Sequence, residues 1–539
     1  MSISSILNIG ISALNASQTQ LSVTSNNIAN ETTAGYCRQE VILEVSSPIA
    51  QSGVSVGSGV TVAQIKRYYD AFIQNQIYGA QQDYGRTSTQ SQTLSEVEQI
   101  FNEDQNLGLA TPLKDFFNAW QSVADNPEDQ TARNLLLQKS DTLVNSAQTM
   151  ENSIQDTLKS SEQGIADSVE KVNSLASKIA KLNDQIGQLG TGSTTETAND
   201  LRDQRDTALK DLSNLIGIST WEDKTNGAVT VTIGMKNLVS GNTANTLSAA
   251  YNGEGEYALQ LDGQDITSRI TKGEVGGLLT ARQETEGDLH DLRKLVASIT
   301  NTVNLQHSQG FGLDGSTGNN FFNPVGLTVK NNSAGADLTA TITDFSQLTM
   351  AEYSIKFNGG NYEVYNKETG GLLTSGAYNA GGTTINLEGV QFDMSGAVTD
   401  QDSFTVSPLT TAIQNLKTNI TSYQQIAASG TADGLPGDNT NALAIAGLTD
   451  SNITALNSDT FANYYKNLVA KVGNQSQTAS DELTFSNNFL SQLNTQRDSV
   501  SGVNMDEEAS NLIIFQRAYQ AAARVITTAD TIYQTLLNM

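Results

Sequence analysis

The chain has 539 residues, room for about three or four domains, with a formal charge of -27 and a pI near 4.3. The charge argues against nucleic acids and disfavours anionic membrane surfaces as partners, because neutralising phosphate needs clustered Lys and Arg that the chain lacks. No window approaches the roughly 20 apolar residues of a transmembrane helix, which argues against membrane insertion, and a single cysteine, Cys37, rules out a disulfide framework or a cysteine-cluster metal site.

Residues 1 to 30 contain no Asp, Glu, Lys or Arg, so no basic region precedes the first apolar residues and a conventional secretory signal is not expected. Leu7, Leu14, Leu21 and Ile28 recur at every seventh position with Ile11 in the offset slot, which predicts a helix with one apolar stripe. In ANETTAGYCRQ, residues 29 to 39, Asn30 and Gly35 supply helix-stop and turn residues. Val41 to Val45 reads as a short strand, and the alternation in GVTVAQIKRYYDAF, residues 59 to 72, completes an extended connector before a helix that begins near Tyr69.

A helical pattern covers about Asp70 to Phe101, and Pro112 fits the opening of a shorter helix holding Phe116, Phe117 and Trp120. The next helical pattern runs to about Leu189, with Leu158, Ile165, Val172, Leu175, Ile179, Leu182, Ile186 and Leu189 in heptad register. Sixty such residues would span roughly 90 Å, a pillar rather than part of a compact enzyme. A Gly/Thr/Ser loop at 190 to 197 turns the chain into an amphipathic helix over 199 to 218. AVTVTIG and EYALQLDG then predict strands of a small β subdomain near 219 to 270. A helix resumes over about Val275 to His307, and GFGLDGSTGNNFF, residues 310 to 322, reads as a glycine-rich loop.

Between Leu327 and Pro408 the runs SIKFNG, YEVYN, TTINLEG and SFTVSP are separated by glycine turns, as in an all-β module. A helical pattern is expected to return near Thr410, to break at a flexible GTADGLPGDNTN (430 to 441), and to resume with FANYYKNLVAKVGNQSQ. The last stretch steps by threes and fours through Leu512, Phe515, Tyr519, Ala522, Ile526, Ala529, Tyr533 and Leu536, the period of a coiled-coil seam.

The expected fold is therefore mainly α with β modules: a terminal coiled-coil helix pair, a long-helix bundle domain formed from discontinuous segments, and an inserted all-β domain. Its divisions are 1-58 and 501-539 for the two halves of the coiled-coil core, 59-326 for the long-helix domain, 327-408 for the insert and 409-500 for the return segment. Neither terminal stripe is wide enough to stabilise its helix alone, so each needs a partner. The other end of the chain is the natural one; the uncharged outer faces point to further packing against neighbouring subunits, and pattern alone equally allows an ordinary antiparallel helix pair closing one globular domain. The candidate assembly interface is Leu7, Ile11, Leu14, Leu21, Ile28, Leu512, Phe515, Tyr519, Ile526, Tyr533 and Leu536.

Chemistry is sparse. Only His290 and His307 are available for histidine catalysis, both in helical segments, and there is no HExxH, Walker or GxSxG motif. Cys37 has Arg38 beside it but no paired histidine. Asp314 to Asn320 lacks the alternating oxygen ligands and terminal glutamate of a calcium loop. No catalytic, cofactor-binding or metal site is expected.

ANETTAGYCRQ with its preceding Leu-repeat helix resembles the N-terminal motif of bacterial flagellar rod, hook and hook-associated proteins, and SGVNMDEEASNLIIFQRAYQAAARVI resembles their C-terminal motif. GVTVAQIKRYYDAF, NDLRDQRDTALKDLSNLIGI and GFGLDGSTGNNFF are each similar to the hook-associated protein 1 family; residues 327 to 408 carry little of the resemblance, and Cys37 stands where that family more often has a small polar residue. The resemblance implies a non-enzymatic adaptor at the hook-filament junction, secreted through the flagellar type III apparatus without a cleaved signal peptide and placed outside the cell in the flagellum. It implies as partners other copies of the chain in a ring, the hook protein, hook-associated protein 3, and an export chaperone at the C-terminal helix. Rival readings are another axial protein, such as hook-associated protein 3 or the hook subunit, an extracellular glycan-binding protein, or a soluble coiled-coil signalling protein.

Overall fold

The computed structural model describes residues 3-51, 54-102, 108-190, 194-251, 257-400 and 402-538. The chain opens with α1 (Ile3–Ala29), followed by β1 (Gln39–Val45), β2 (Ile49–Gln51), β3 (Val54–Val56) and β4 (Val60–Arg67). β1 and β4 pair antiparallel with Val41 opposite Ile65, and β2 pairs with β3, so the connector is a folded-back ribbon.

The body is a bundle of α2 (Ala71–Ile100), α3 (Ala110–Asp125), α4 (Gln130–Gln188) and α5 (Glu196–Leu215), joined later in the chain by two more helices. Three of these four starts have a side-chain cap. Asp70 accepts from the amides of Phe72 and Ile73 at 2.8 and 3.2 Å, Asp129 from Thr131 at 2.8 Å and Thr195 from Ala198 at 3.3 Å, filling orphan donors of the first turn. α4 has 59 residues, about 90 Å of helix, and serves two cores in succession.

The far half of α4 carries a small β subdomain. β5 (Ser219–Glu222), β6 (Val229–Ile233), β7 (Lys236–Ser240) and β8 (Thr243–Ala244) form one sheet, and β9 (Leu247–Tyr251), β10 (Tyr257–Leu261) and β11 (Gln264–Asp265) another. Asn173 and Asn183 on α4 fasten the two sheets. Each side-chain amide donates to and accepts from a strand backbone, Asn173 at Leu247 (2.8 and 2.9 Å) and Asn183 at Val229 (2.8 and 3.0 Å). Two amides on an otherwise periodic helix thus satisfy strand edges that would be costly to leave bare.

α6 (Gly273–His307) returns along the body and leads into the insert. There β12 (Thr328–Asn331), β13 (Ala336–Ile342), β14 (Tyr353–Asn358), β15 (Asn361–Asn366), β16 (Leu372–Ala377), β17 (Thr383–Leu387), β18 (Val390–Gly396) and β19 (Ser403–Ser407) make two antiparallel sheets, ordered β12-β19-β14-β15-β16 and β13-β18-β17. Alternate residues point inward, Tyr353, Ile355 and Phe357 from β14 and Val390, Phe392 and Met394 from β18, and the two sheets share one core. The sequence runs named above cover four of these eight strands; β13 (ADLTATI) and β18 (VQFDMSG) alternate just as cleanly and were not named.

One expectation is corrected after the insert. No α-helix returns near Thr410; residues 409 to 439 run as turns and 3-10 segments, and α7 (Thr440–Ala446) is the first helix, with α8 (Phe461–Ser501) after it. The stretch is held instead by the fully buried Arg133 of α4, which donates to the carbonyls of Pro127, Tyr423 and Ile426 at 2.7, 3.1 and 2.7 Å. Nor is the loop at 430 to 441 loosely held. Its Asp438 accepts from the Gly430 amide at 2.7 Å, the Ser429 hydroxyl at 2.9 Å and the Thr440 hydroxyl at 3.0 Å. Desolvation alone would raise that carboxyl, but these donors hold it at about 2.

The glycine-rich loop at 310 to 322 ends in Phe321 and Phe322, which close an aromatic core with Phe116 and Trp120. His307 sits against the same rings. Its Nδ1 donates to the Asn319 carbonyl at 2.7 Å and its Nε2 accepts from the Ala427 amide at 3.0 Å, so the ring is a neutral clip between two loops. Burial pushes its pKa down to about 4. His290 lies 3.8 Å from Glu352 and 3.9 Å from Glu368 of the insert. α9 (Met505–Leu537) closes the chain, separated from α8 by a break at Gly502.

Candidate assembly interface

α1 and α9 lie antiparallel: Gly10 is beside Ile526, and Asn27 beside Glu508. The buried face of α1 is made by Gly10, Ala16, Ser17, Val23, Thr24 and Asn27, and that of α9 by Glu508, Ala522 and Ala529. A Cβ at Gly10 would stand 2.8 Å from Ile526 Cγ1, so the closest approach depends on a residue without a side chain. The larger residues flank this strip of small ones. Leu7, Leu14, Leu21, Ile28, Leu512, Phe515 and Ile526 are half-buried, while Ile11, Tyr519, Tyr533 and Leu536 are exposed, the last by 57%. Packing between the two ends therefore uses small residues, and the leucine line is pushed to the edge. Ile513, Ile514, Val525, Ile532 and Leu537 are also exposed on α9.

At the base of the pair the ANETTAGYCRQ segment forms a polar lock. Gly35 adopts φ +82, and a Cβ there would fall 2.3 Å from the Thr207 hydroxyl of α5, so only glycine lets the loop lie this close. Asn27 donates to the Gln39 carbonyl at 2.9 Å and to Glu508 at 3.1 Å, and accepts from the Gln39 amide and the Tyr36 hydroxyl at 3.0 and 2.8 Å. Arg38 reaches Glu508 at 2.8 Å and Glu507 at 3.2 Å, and its amide donates to the Ser501 carbonyl at 2.9 Å. Glu508, though only 2% exposed, thus has both a cation and an amide donor.

The lock continues into the body. Arg67 of β4 pairs with Asp203 of α5 at 2.6 Å and with Asp206, and the Cys37 amide donates to Asp203 at 3.1 Å. Gln39 donates to Asp200 at 3.0 Å and accepts from Asn199 at 3.1 Å. Burial pushes the Asp203 carboxyl up to about 6 against the pull of Arg67, and pushes the Cys37 thiol up to about 12, where it is protonated and unreactive. No group of three or more His, Cys, Asp or Glu among the described residues is placed to hold a metal ion, and no described helix is long and apolar enough to cross a membrane.

Sequence reasoning had not singled out Asn27, Arg38, Gln39, Arg67, Asp203 or Glu508. The available signal was charge placement: the first charge after Glu31 is Arg38, and the last helix opens with Asp506, Glu507 and Glu508. Opposite charges thus stand at the adjoining bases of two helices that are otherwise poor in charge.

The arrangement has known relatives. A model described as the flagellar hook-associated protein FlgK helical domain matches residues 94-322, and one for a D2-like domain of flagellar hook-associated protein 1 matches 327-408. A flagella basal body rod protein model matches 7-36, and a flagellar basal body rod FlgEFG protein C-terminal model matches 495-539. Flagellar hook-associated protein 1 of Salmonella typhimurium is 33% identical, over 99% of this chain and 100% of that one. The chain belongs to the flagellar hook-associated protein 1 family. The Escherichia coli member is 32% identical over 99% of this chain and all of its own length, and the Bacillus subtilis member 26% identical over 98% and 96%. The solved flagellar hook junction protein FlgK from Burkholderia pseudomallei shares the fold, with a TM-score of 0.68 at 21% identity, covering 79% of this chain and all of that one. In this member of the hook-associated protein 1 family, the two terminal matches fall on α1 and the loop up to Tyr36, and on α9 with the end of α8.

Proposed function

We propose that the chain is a non-enzymatic structural adaptor that joins the flagellar hook to the filament. Copies form a ring, and their terminal helix pairs pack against each other and against the hook protein below and hook-associated protein 3 above. The observation that carries this reading is the state of α9: Ile513, Ile514, Val525, Ile532, Tyr533, Leu536 and Leu537 are all exposed on one helix. Ile514, Val525, Ile532 and Leu536 fall within about 40° of one another around the helix axis, and an exposed apolar stripe of this kind marks an interaction site rather than a solvated face. The lock supplies the other mechanical requirement, since a force on the helix pair passes through Arg38, Glu508 and Arg67 into α5 and the body.

The same exposed stripe on α9 needs cover before assembly, which supports a cytoplasmic export chaperone as a further partner, with export through the flagellar type III apparatus and a final place outside the cell. The test is deletion of the gene followed by electron microscopy. Hooks without filaments, restored by the full chain but not by chains lacking residues 1 to 30 or 510 to 539, are expected. Filaments growing normally on hooks of the deletion strain would overturn the reading.

A further inference from the structure

The insert stands on one line of α6. His290, Lys294, Ala297 and Asn301 recur at steps of four, three and four and fall within about 60° of one another around the helix axis. Ala297 enters the apolar core of the insert, Asn301 donates to the Phe345 carbonyl at 2.9 Å, and the Lys294 ammonium donates to both Glu368 oxygens at 2.9 Å. His290 ends the line without a bond. Its Nδ1 lies 3.8 Å from Glu352 and its Nε2 lies 3.9 Å from Glu368, one carboxylate of the insert beside each ring nitrogen and both beyond hydrogen-bond range. Nε2 is buried and has no hydrogen-bond partner among the described residues. Glu352, with a side chain 17% exposed, has His290 as its sole ion-pair neighbour within 4 Å among those residues.

A neutral imidazole cannot answer both carboxylates, because it has one N–H and one lone pair, and the lone pair repels the carboxylate it faces. An imidazolium donates from both nitrogens, and each donation to a carboxylate is charge-assisted. The surrounding charges leave that place open. On α6, Arg282 is held by Glu162 and Glu286, Arg293 by Glu151, Lys294 by Glu368, and Asp291 by Lys471 of α8. Lys330 and Lys367 of the insert line the wider cleft beside the ring, and Glu352 is the carboxylate that no lysine or arginine pairs with among the described residues. From α4 and the small β subdomain the cleft receives only uncharged groups, Gln155, Leu158, Tyr257, Thr267 and Ser268 among them.

We propose that His290 is a proton-operated clasp between the helical body and the insert. When the ring gains a proton, Glu352 and Glu368 close on its two N–H groups and draw the insert onto α6; when the proton leaves, that end of the docking line opens. The fold has room for the movement. An open cleft of about 760 Å³ lies between the insert and α6, and the insert keeps an apolar core of its own, so it tilts as a unit. The clasp contributes while the ring is charged, toward pH 5.5, and its contribution is lost as pH rises toward 8, the range in which an ordinary histidine changes charge and ordinary carboxylates do not. The other histidine does not interfere, since burial holds His307 down at about 4.

The test is a distance measured across the cleft in the full chain. Spin labels are placed at Ser268→Cys of the small β subdomain and Lys330→Cys of the insert, both of which line the cleft; Cys37 is buried with a protonated thiol and takes no label. Pulsed electron resonance is expected to give one narrow distance distribution at pH 5.5 and a longer, broader one at pH 8. His290→Gln should give the broad distribution at both values, and Glu352→Gln should lose most of the shift. The same distribution at both pH values in the labelled native chain, or a shift that survives in His290→Gln, would overturn the clasp. A second measurement covers a labelled chain that fails to fold. In the unlabelled protein, amides at residues 350 to 354 and 366 to 369, corrected for their intrinsic exchange rates, should be protected severalfold more at pH 5.5 than at pH 8, and equally at both in His290→Gln. Equal protection of the native chain at the two pH values also overturns the proposal.

Discussion

The aromatic end of the helical body and the terminal helix pair are both made by laying helices side by side, but they bury different things. The body closes over Phe116, Trp120, Phe321, Phe322 and Phe461, each 1% exposed or less, with His307 and Arg133 pinning loops from the inside. The pair closes over Gly10, Ala16, Ala522 and Ala529 and leaves its large side chains at the edge or outside. Large buried side chains make a unit that is complete in one chain. Small ones let two backbones approach while the large residues stay available to another molecule. The comparison teaches that the stable part of this chain and its assembling part are told apart by the size of what is buried.

That contrast can be broken at several points. Trp120→Ala, in the body, is expected to cost about 3–5 kcal/mol through the cavity it leaves, read as a lower denaturant midpoint of the full chain. Next comes pH. The folded pKa of His307 is depressed to about 4 from an ordinary value near 6.5, so its contribution is present above pH 6.5 and is lost as pH falls from there through about 4. The loss amounts to about 3 kcal/mol, and a His307→Asn variant should show a flatter stability profile over that window.

The lock lies between the two regions. Arg38→Met leaves Glu508 buried with only Asn27 as donor, and because the guanidinium is itself partly exposed the cost is about 2–3 kcal/mol. The loss should appear as faster amide exchange at residues 36 to 39 and 505 to 510 with the body unchanged. Gly10→Val forces the helices apart at Ile526 and should cost about 1–2 kcal/mol, seen as faster exchange along α9 alone. At the small end, Tyr533→Ser should move the stability of the single chain by less than about 0.5 kcal/mol, since the ring is 52% exposed, yet reduce filament assembly. A large stability loss from Tyr533→Ser would erase the distinction between the two regions.

Local patterns determined much of this architecture. The capped start of α2 at Asp70, the long run of α4 and the apolar periods of α1 and α9 all rest on residues within a few turns of each other, and those were legible from spacing. The mainly α fold with separate β modules followed from them, as did the reading of both chain ends as helices that need partners. Tertiary structure alone decided the rest. Residues 409 to 439 have helical spacing but take their conformation from carbonyls donated to by Arg133, nearly 300 positions earlier, and a helix there would withdraw those acceptors. The leucine heptad of α1 sits at the edge because Gly10, Ala16 and Ser17 permit a closer approach on the adjoining face, and the gain from two backbones meeting depends on what α9 presents opposite. The lock was hidden for the same reason: Asn27, Arg38 and Glu508 are ordinary surface residues in one dimension, and they become a buried network only when positions about 480 apart in sequence are brought into contact.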